Sequence, residues 1–151
     1  MGSELIDVIS ELLALVKDEA SSGPTLDALE LLLDRLALVR HDIPTRSLEG
    51  DCADAPDWRY DERRRLVDRA FPMLGLYASV AEAVNLGDQS EFSTCDAADD
   101  LADIVGDLAE VAWRWSNTSE DDARWYFRWS YDAHWGAHLR SLQLYLHGFR
   151  R

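Results

Sequence analysis

From Asp121 to Phe149 the chain carries its densest run of aromatic residues, with His-Trp-Gly-Ala-His at positions 134–138 in the middle of it. Set on a helix at about 100° per residue, Phe127, Tyr131, His134, His138, Leu142, Tyr145 and Phe149 fall into one stripe. Trp135, Leu139 and Leu146 widen one edge of that stripe, while Asp132, Arg140, Gln143 and His147 lie opposite, on the side expected to meet solvent. The remainder of the chain must supply the faces that cover this one.

It does so with further helical patterns. Leu5, Ile6, Ile9, Leu12, Leu13 and Val16 form an amphipathic first helix, with Ser3 as a reasonable N-cap and Ser21-Ser22-Gly23-Pro24 as its stop. Thr25 caps a second helix from Leu26 to about His41. Leu29, Leu32, Leu33 and Leu36 make its main face, and Leu31 and Leu38 place leucine on another side. A helix so apolar around its girth is expected at the centre of a bundle or against a partner chain. Asp42 to Trp58 reads as the longest loop, punctuated by Pro44, Gly50 and Pro56.

Tyr60 to Ala70 reads as a third helix, broken at Phe71-Pro72 because proline disfavours helical geometry in the residue before it. Tyr77, Val80, Ala81 and Val84 suggest another amphipathic helical piece, followed by a polar linker from Asp88 to Thr94. A fourth helix is expected over Asp96 to Trp115, with Leu101, Ile104, Val105, Leu108, Ala112 and Trp115 as its core face. Ser119 then caps the last helix, whose first turn carries Glu120, Asp121 and Asp122. No strand-like alternation of useful length stands out. The expected fold is all-α, a bundle of five or six helices in a single domain over residues 1–151.

Length and charge narrow the function classes. A chain of 151 residues can bury a real core without staples. Its formal net charge of -14 opposes a phosphate backbone, so nucleic acid is not an expected partner. The basic residues cluster only in Arg59–Arg69, interleaved with Asp57, Asp61, Glu62 and Asp68, which reads as a salt-bridged helix face. No signal peptide and no run of 18 apolar residues is present, so neither export nor a membrane span is expected. The expected compartment is the cytoplasm, where Cys52 and Cys95 would be free thiols by default and a Cys52–Cys95 disulfide the exception.

Three features carry candidate chemistry. His134 and His138, four apart, share a helix face, which is how two imidazoles hold one metal ion. A third ligand would come from another helix, with Tyr131 and Trp135 beside the pair; the zincin arrangement is absent because Trp135 follows His134. The competing and favoured reading makes both imidazoles structural, buried and hydrogen-bonded to neighbouring helices. Gly136, costing about 1 kcal/mol in a helix relative to alanine, suggests close approach of another backbone or a ligand.

The second feature is the acidic run Asp99, Asp100, Asp103, Asp107 and Glu110. On its face it resembles the acidic helix motifs of Mg²⁺-dependent all-α nucleotide pyrophosphatases. Asp103, Asp107 and Glu110 nevertheless fall opposite Leu101, Leu108 and Ala112, so a solvated face is expected. The third is a surplus of aromatics. Trp125 and Trp129 lie away from the histidine stripe, and six tryptophans cannot all share one seam. Either the last helix is covered on two sides or a patch is exposed for a partner. Phosphate loops, nucleophile elbows, Cys-x-x-Cys pairs and dinucleotide fingerprints are missing.

Taken in order, Tyr60-Asp61-Glu62-Arg63-Arg64, Phe71-Pro72-Met73-Leu74-Gly75-Leu76-Tyr77, Asp99-Asp100-Leu101-Ala102-Asp103-Ile104 and above all His134-Trp135-Gly136-Ala137-His138 resemble the bacterial family catalogued as domain of unknown function 5063. The resemblance spans about Leu5 to Leu146. It implies an all-α, cytoplasmic, bacterial protein and supplies no activity. The leading expectation is a non-enzymatic helical protein acting through self-association or a protein partner. The alternative is a metal- or small-ligand-binding protein built on His134 and His138, with divalent metal the one cofactor in view. Mg²⁺-dependent hydrolysis through the acidic run is the third and weakest.

Overall fold

The computed structural model describes residues 2–18, 23–44, 50, 53–80, 87 and 91–149. Cys52, Ser21-Ser22, Ala81, Val84 and Asp88 lie outside them, as does the Cys52–Cys95 pairing; Cys95 is a free, half-buried thiol.

Helix α1 spans Gly2–Lys17 and α2 spans Leu26–Val39, followed by a 3₁₀ turn at Arg40–Asp42. Thr25 caps α2 as expected, its side chain accepting the Ala28 amide at 3.1 Å. Helix α3, Tyr60–Ala70, ends where Pro72 forces Phe71 out of helical geometry, and Phe71 drops fully into the core. Strands β1 (Leu76–Val80) and β2 (Phe92–Asp96) pair antiparallel, Val80 opposite Phe92 and Leu76 opposite Asp96. Helix α4 follows directly as Ala97–Asn117, capped by Asp96, which accepts the Ala98 amide at 3.0 Å. The last helix runs as α5 (Glu120–Ser130), a π-helical turn (Tyr131–Trp135) and α6 (Gly136–Phe149), with Ser119 accepting the Asp122 amide at 3.0 Å.

The fold is therefore mostly helical and not purely all-α. Over residues 77–80 strand β1 stands in place of the expected helical piece, and β2 begins within the linker expected from Asp88 to Thr94; most of the rest of both expectations falls outside the described residues. Its alternation escapes notice because the apolar side chains face outward: Leu76, Val80 and Phe92 are exposed, and Tyr77, Ser79, Ser93 and Cys95 turn inward. A strand with its polar-capable side inward does not look like a half-buried strand.

The centre of the molecule is α4, not α2. Helix α4 packs on α1, α3, α5, α6 and the π turn, and none of its residues from 97 to 115 is exposed. Leu31 and Leu38 of α2, by contrast, are 61% and 66% exposed. One continuous cluster of buried side chains joins α1, α2, α4 and the last helix.

The π turn resets the last helix. It inserts about one residue's worth of rotation, so Phe127 and Trp135 come onto the same side and pack edge to face at 5.0 Å. The buried face is Phe127, Trp135, Leu139, Leu142 and Leu146, whereas Tyr145 and His138 are half-buried and His134 and Phe149 are exposed. The stripe drawn on an unbroken helix thus mixes two faces. Gly136 is required by this turn. Its amide donates to the Tyr131 carbonyl, and a Cβ there would lie 2.5 Å from that oxygen. The close backbone is the helix's own.

Candidate metal centre

The two histidines and the acidic run meet in space. The π turn and the start of α6 carry His134 and His138 across the outer side of α4, where Asp100, Asp103 and Asp107 rise on successive turns. The ring centroids of the two histidines are 5.0 Å apart and inclined at 76°. His138 Nδ1 lies 2.7 Å from Asp100 Oδ1, and His134 Nδ1 lies 2.6 Å from Asp107 Oδ2. An ionised carboxylate only accepts, so a hydrogen sits on each Nδ1, and a ring that gives up its other proton to a metal would offer its Nε2 lone pair.

Both Nε2 atoms are turned to the same oxygen. Asp103 Oδ2 is 3.3 Å from His138 Nε2 and 3.8 Å from His134 Nε2. Ligand atoms around a tetrahedral ion, with bonds of about 2.1 Å, stand about 3.4 Å from one another. One oxygen from Asp103 and one nitrogen from each histidine, all within 4.8 Å, thus form a group of the right size and chemistry to hold a metal ion. The arrangement that holds each imidazole by a carboxylate behind it is the one that orients histidine ligands and fixes their tautomer.

Behind these carboxylates stand tyrosines. Tyr77 of β1 donates to Asp100 Oδ2 at 2.5 Å, and Tyr126 of α5 donates to Asp107 Oδ1 at 3.5 Å. Tyr60 of α3 donates to Asp99 at the start of α4. Burial, reinforced by the acidic partner, pushes the Tyr77 phenol well above its ordinary range, so it remains a donor. Burial raises the Asp103 carboxyl, helped by Asp99 and opposed by the two histidines and Arg63. The hydrogen bond to Asp100 raises His138 against the opposing effect of burial.

The site opens on one side. His134 is 48% exposed at its side chain and His138 25%. Asp103 and His134 line a cleft of about 610 Å³, whose other walls include Trp58, Trp113, Lys17 and Arg63. That volume is within the range of small-molecule sites. Arg63 lies against α4 where Gly106 leaves room; a Cβ at Gly106 would stand 2.8 Å from the guanidinium carbon.

Asp103 and Asp107 are half-buried at the cleft rather than on a solvated face, because α4 is covered nearly all round and its second face belongs to the last helix. Glu110 is taken by Arg114 at 2.9 Å. Trp135 and Tyr131, expected beside the pair, are not at the site. Trp135 is fully buried with its indole donating to Ser130 at 3.0 Å, and Tyr131 packs edge-on against it beneath Arg40. The basic stretch is partly the expected salt-bridged face, with Arg64 on Asp68 and Asp96, each at 2.9 Å. Arg63 alone turns toward the cleft, a role no spacing in the sequence signals. Trp125 and Trp129 stack at 5.8 Å, and Trp129 is 52% exposed.

A family model described as "Domain of unknown function (DUF5063)" matches residues 3–150. No curated protein matches the chain. Among solved structures, protein BF1032 from Bacteroides fragilis is similar, with a TM-score of 0.73 at 18% identity. The match covers 99% of this chain and 91% of that one, and at this identity it speaks to the fold.

Proposed function

The chain belongs to the family of domain of unknown function 5063, and we propose that this member binds a divalent transition-metal ion through Asp103, His134 and His138. The observation that carries the reading is the convergence of two Nε2 atoms on Asp103 Oδ2, at 3.3 and 3.8 Å, while both Nδ1 atoms are held by carboxylates. A structural histidine needs its partners; it does not need its second nitrogen aimed with another's at a shared carboxylate. The donor set of two imidazoles and one carboxylate suits zinc, iron, nickel or copper better than magnesium, which favours oxygen ligands. This separates the site from the acidic Mg²⁺ motifs that the α4 run resembles. Three protein ligands leave at least one position for water or a ligand from the cleft.

Thermal unfolding with EDTA and with added Zn²⁺, Ni²⁺ or Mn²⁺ tests this. A metal at about 100 times its dissociation constant stabilises the folded state by about 2.7 kcal/mol, a rise of roughly 5–10 °C at this size. The rise is expected in the wild type and absent in the His134→Ala/His138→Ala double variant. Equal midpoints with EDTA and with every metal would sink the reading.

Self-association is the second reading, favoured by the hairpin. Leu76, Val80 and Phe92 share one face of the two-stranded sheet and are 71%, 43% and 84% exposed. A solution mass above 17.1 kDa that falls to the monomer value in Phe92→Glu would support it. A strictly monomeric wild type would count against it.

A further inference from the structure

The cleft beside Asp103 and His134 offers a bound metal a second recognition element, and we infer that it takes a small organic oxyanion, a carboxylate or phosphate on an apolar planar body. This rests on the metal reading and adds the chemical class of the ligand that would occupy the open coordination position.

The argument starts from which charges in the cleft are already committed. Of the four acidic residues lining the cleft, Glu110 is paired with Arg114 at 2.9 Å, Asp107 lies 2.6 Å from the His134 ring, Asp103 would be the metal's own ligand, and Asp57 is exposed. The two cations are not engaged in this way. Arg63 is held by carbonyls, its Nε donating to Ala102 at 3.1 Å and its Nη1 to Trp58 at 2.5 Å. Those neutral acceptors fix its direction and leave its charge. Its one carboxylate neighbour within 4.0 Å among the described residues is Asp103, 3.8 Å from Nη2. Once Asp103 is coordinated to a metal, that weak pairing loses most of its remaining strength. Lys17 has no carboxylate partner among the described residues; its ammonium lies over the Trp58 ring at 4.9 Å.

The guanidinium is already immobilised, with a side chain only 16% exposed. An anion therefore meets a donor whose ordering cost has been met by folding. Its Nη2 lies next to the carboxylate that would carry the metal, so one oxyanion can bridge the ion and Arg63. Trp58 and Trp113 on the cleft walls supply aromatic surface beside which a planar apolar body can pack. An organic cation is the poorer occupant, because at the open coordination position it would meet the charge of the bound metal together with the Arg63 guanidinium.

Isothermal titration of the Zn²⁺-loaded protein tests this with 1-naphthoate and 1-naphthyl phosphate, against neutral 1-naphthalenemethanol and cationic 1-naphthalenemethylamine. Metal binding is measured first on every variant, so loss of the metal site is read separately. At least one anion is expected to bind about tenfold or more tighter than the alcohol and the amine, and whichever binds tighter identifies the headgroup. Arg63→Gln is expected to weaken the anion about tenfold while retaining zinc, and Arg63→Lys to recover part of the loss. Lys17→Gln, at an exposed position, is expected to weaken it severalfold. Normal zinc binding with anions no tighter than the alcohol, tighter binding of the amine, or an unchanged Arg63→Gln would each overturn the inference. Failure of zinc itself would remove the reading on which it rests.

Discussion

At the scale of single residues, His138 carries a consequence for acid and base. Asp100 holds its ring on one side and Asp103 faces it on the other, with His134, Asp99 and Tyr77 completing the charged and titratable surroundings. The hydrogen bond from His138 to Asp100 outweighs burial and raises the imidazole above its ordinary value. A group raised in the folded state stabilises when protonated. That contribution is complete below the unfolded value of about 6.5 and is lost as pH rises through the folded value. In EDTA the wild type is therefore expected to lose stability as pH climbs from about 6 into the mildly alkaline range, and His138→Gln to flatten this part of the profile. Urea midpoints from about pH 5.5 to 8.5 check it; parallel profiles for the two proteins would refute it. A metal acts in the opposite sense, since it binds the deprotonated rings and releases their protons.

The same residues show what can be seen in the sequence. The four-residue spacing puts His134 and His138 on one side of a helix, and the structure has them together. Asp103 is visible as a member of an acidic run but falls to solvent on a helical wheel, which allows each helix one buried face. Helix α4 has several, and only tertiary packing shows that. Arg63 gives no signal at all: one arginine among five between Arg59 and Arg69 differs from the others only in what α4 brings to it.

At the scale of elements, the last helix depends on its π turn. Helix starts and stops are legible wherever a cap or proline marks them, at Thr25, Phe71-Pro72 and Ser119. A π turn has no such mark, and the glycine that permits it looks instead like a contact point for something outside the helix. Gly136→Ala places a methyl within 2.5 Å of the Tyr131 carbonyl and about 3.0 Å from its ring. Overpacking of this kind costs about 1–3 kcal/mol. Gly148, also in α6, has nothing within 4 Å of where a methyl would stand, so Gly148→Ala is expected to be neutral or stabilising by up to about 1 kcal/mol. Chemical denaturation of the pair checks the difference; equal stabilities would mean that the turn yields. The hairpin escapes the sequence for a related reason. Its inward side chains are Tyr77, Ser79, Ser93 and Cys95, and Tyr77 is ordered by Asp100 and by the Tyr145 ring at 5.1 Å rather than by a wholly apolar bed.

At the scale of the whole molecule, one buried ion pair ties separate segments together. Arg114 near the end of α4 binds Asp122 in the first turn of α5 at 3.0 Å, Glu110 at 2.9 Å and the Ala53 carbonyl at 3.0 Å. Asp122 also accepts from Thr118 at 2.5 Å and is 2% exposed at its side chain. Removing one partner of a buried pair strands the other, at about 3 kcal/mol. Asp122→Ala is expected to melt roughly 6–12 °C below the wild type. A shift within about 1–2 °C, by the same relation, would show that the remaining partners of Arg114 satisfy its guanidinium. None of the helices among the described residues is long and apolar enough to cross a membrane.

The central position of α4 gives the site two walls of unequal stiffness. Amides of a helix packed against most of its neighbours exchange with solvent chiefly through large openings of the fold, whereas half-exposed turns open locally and often. Asp103 therefore stands on the part of the molecule that moves least, and His134 on a turn that can breathe. Any ion held between them would come and go from the histidine side, with the carboxylate waiting in place.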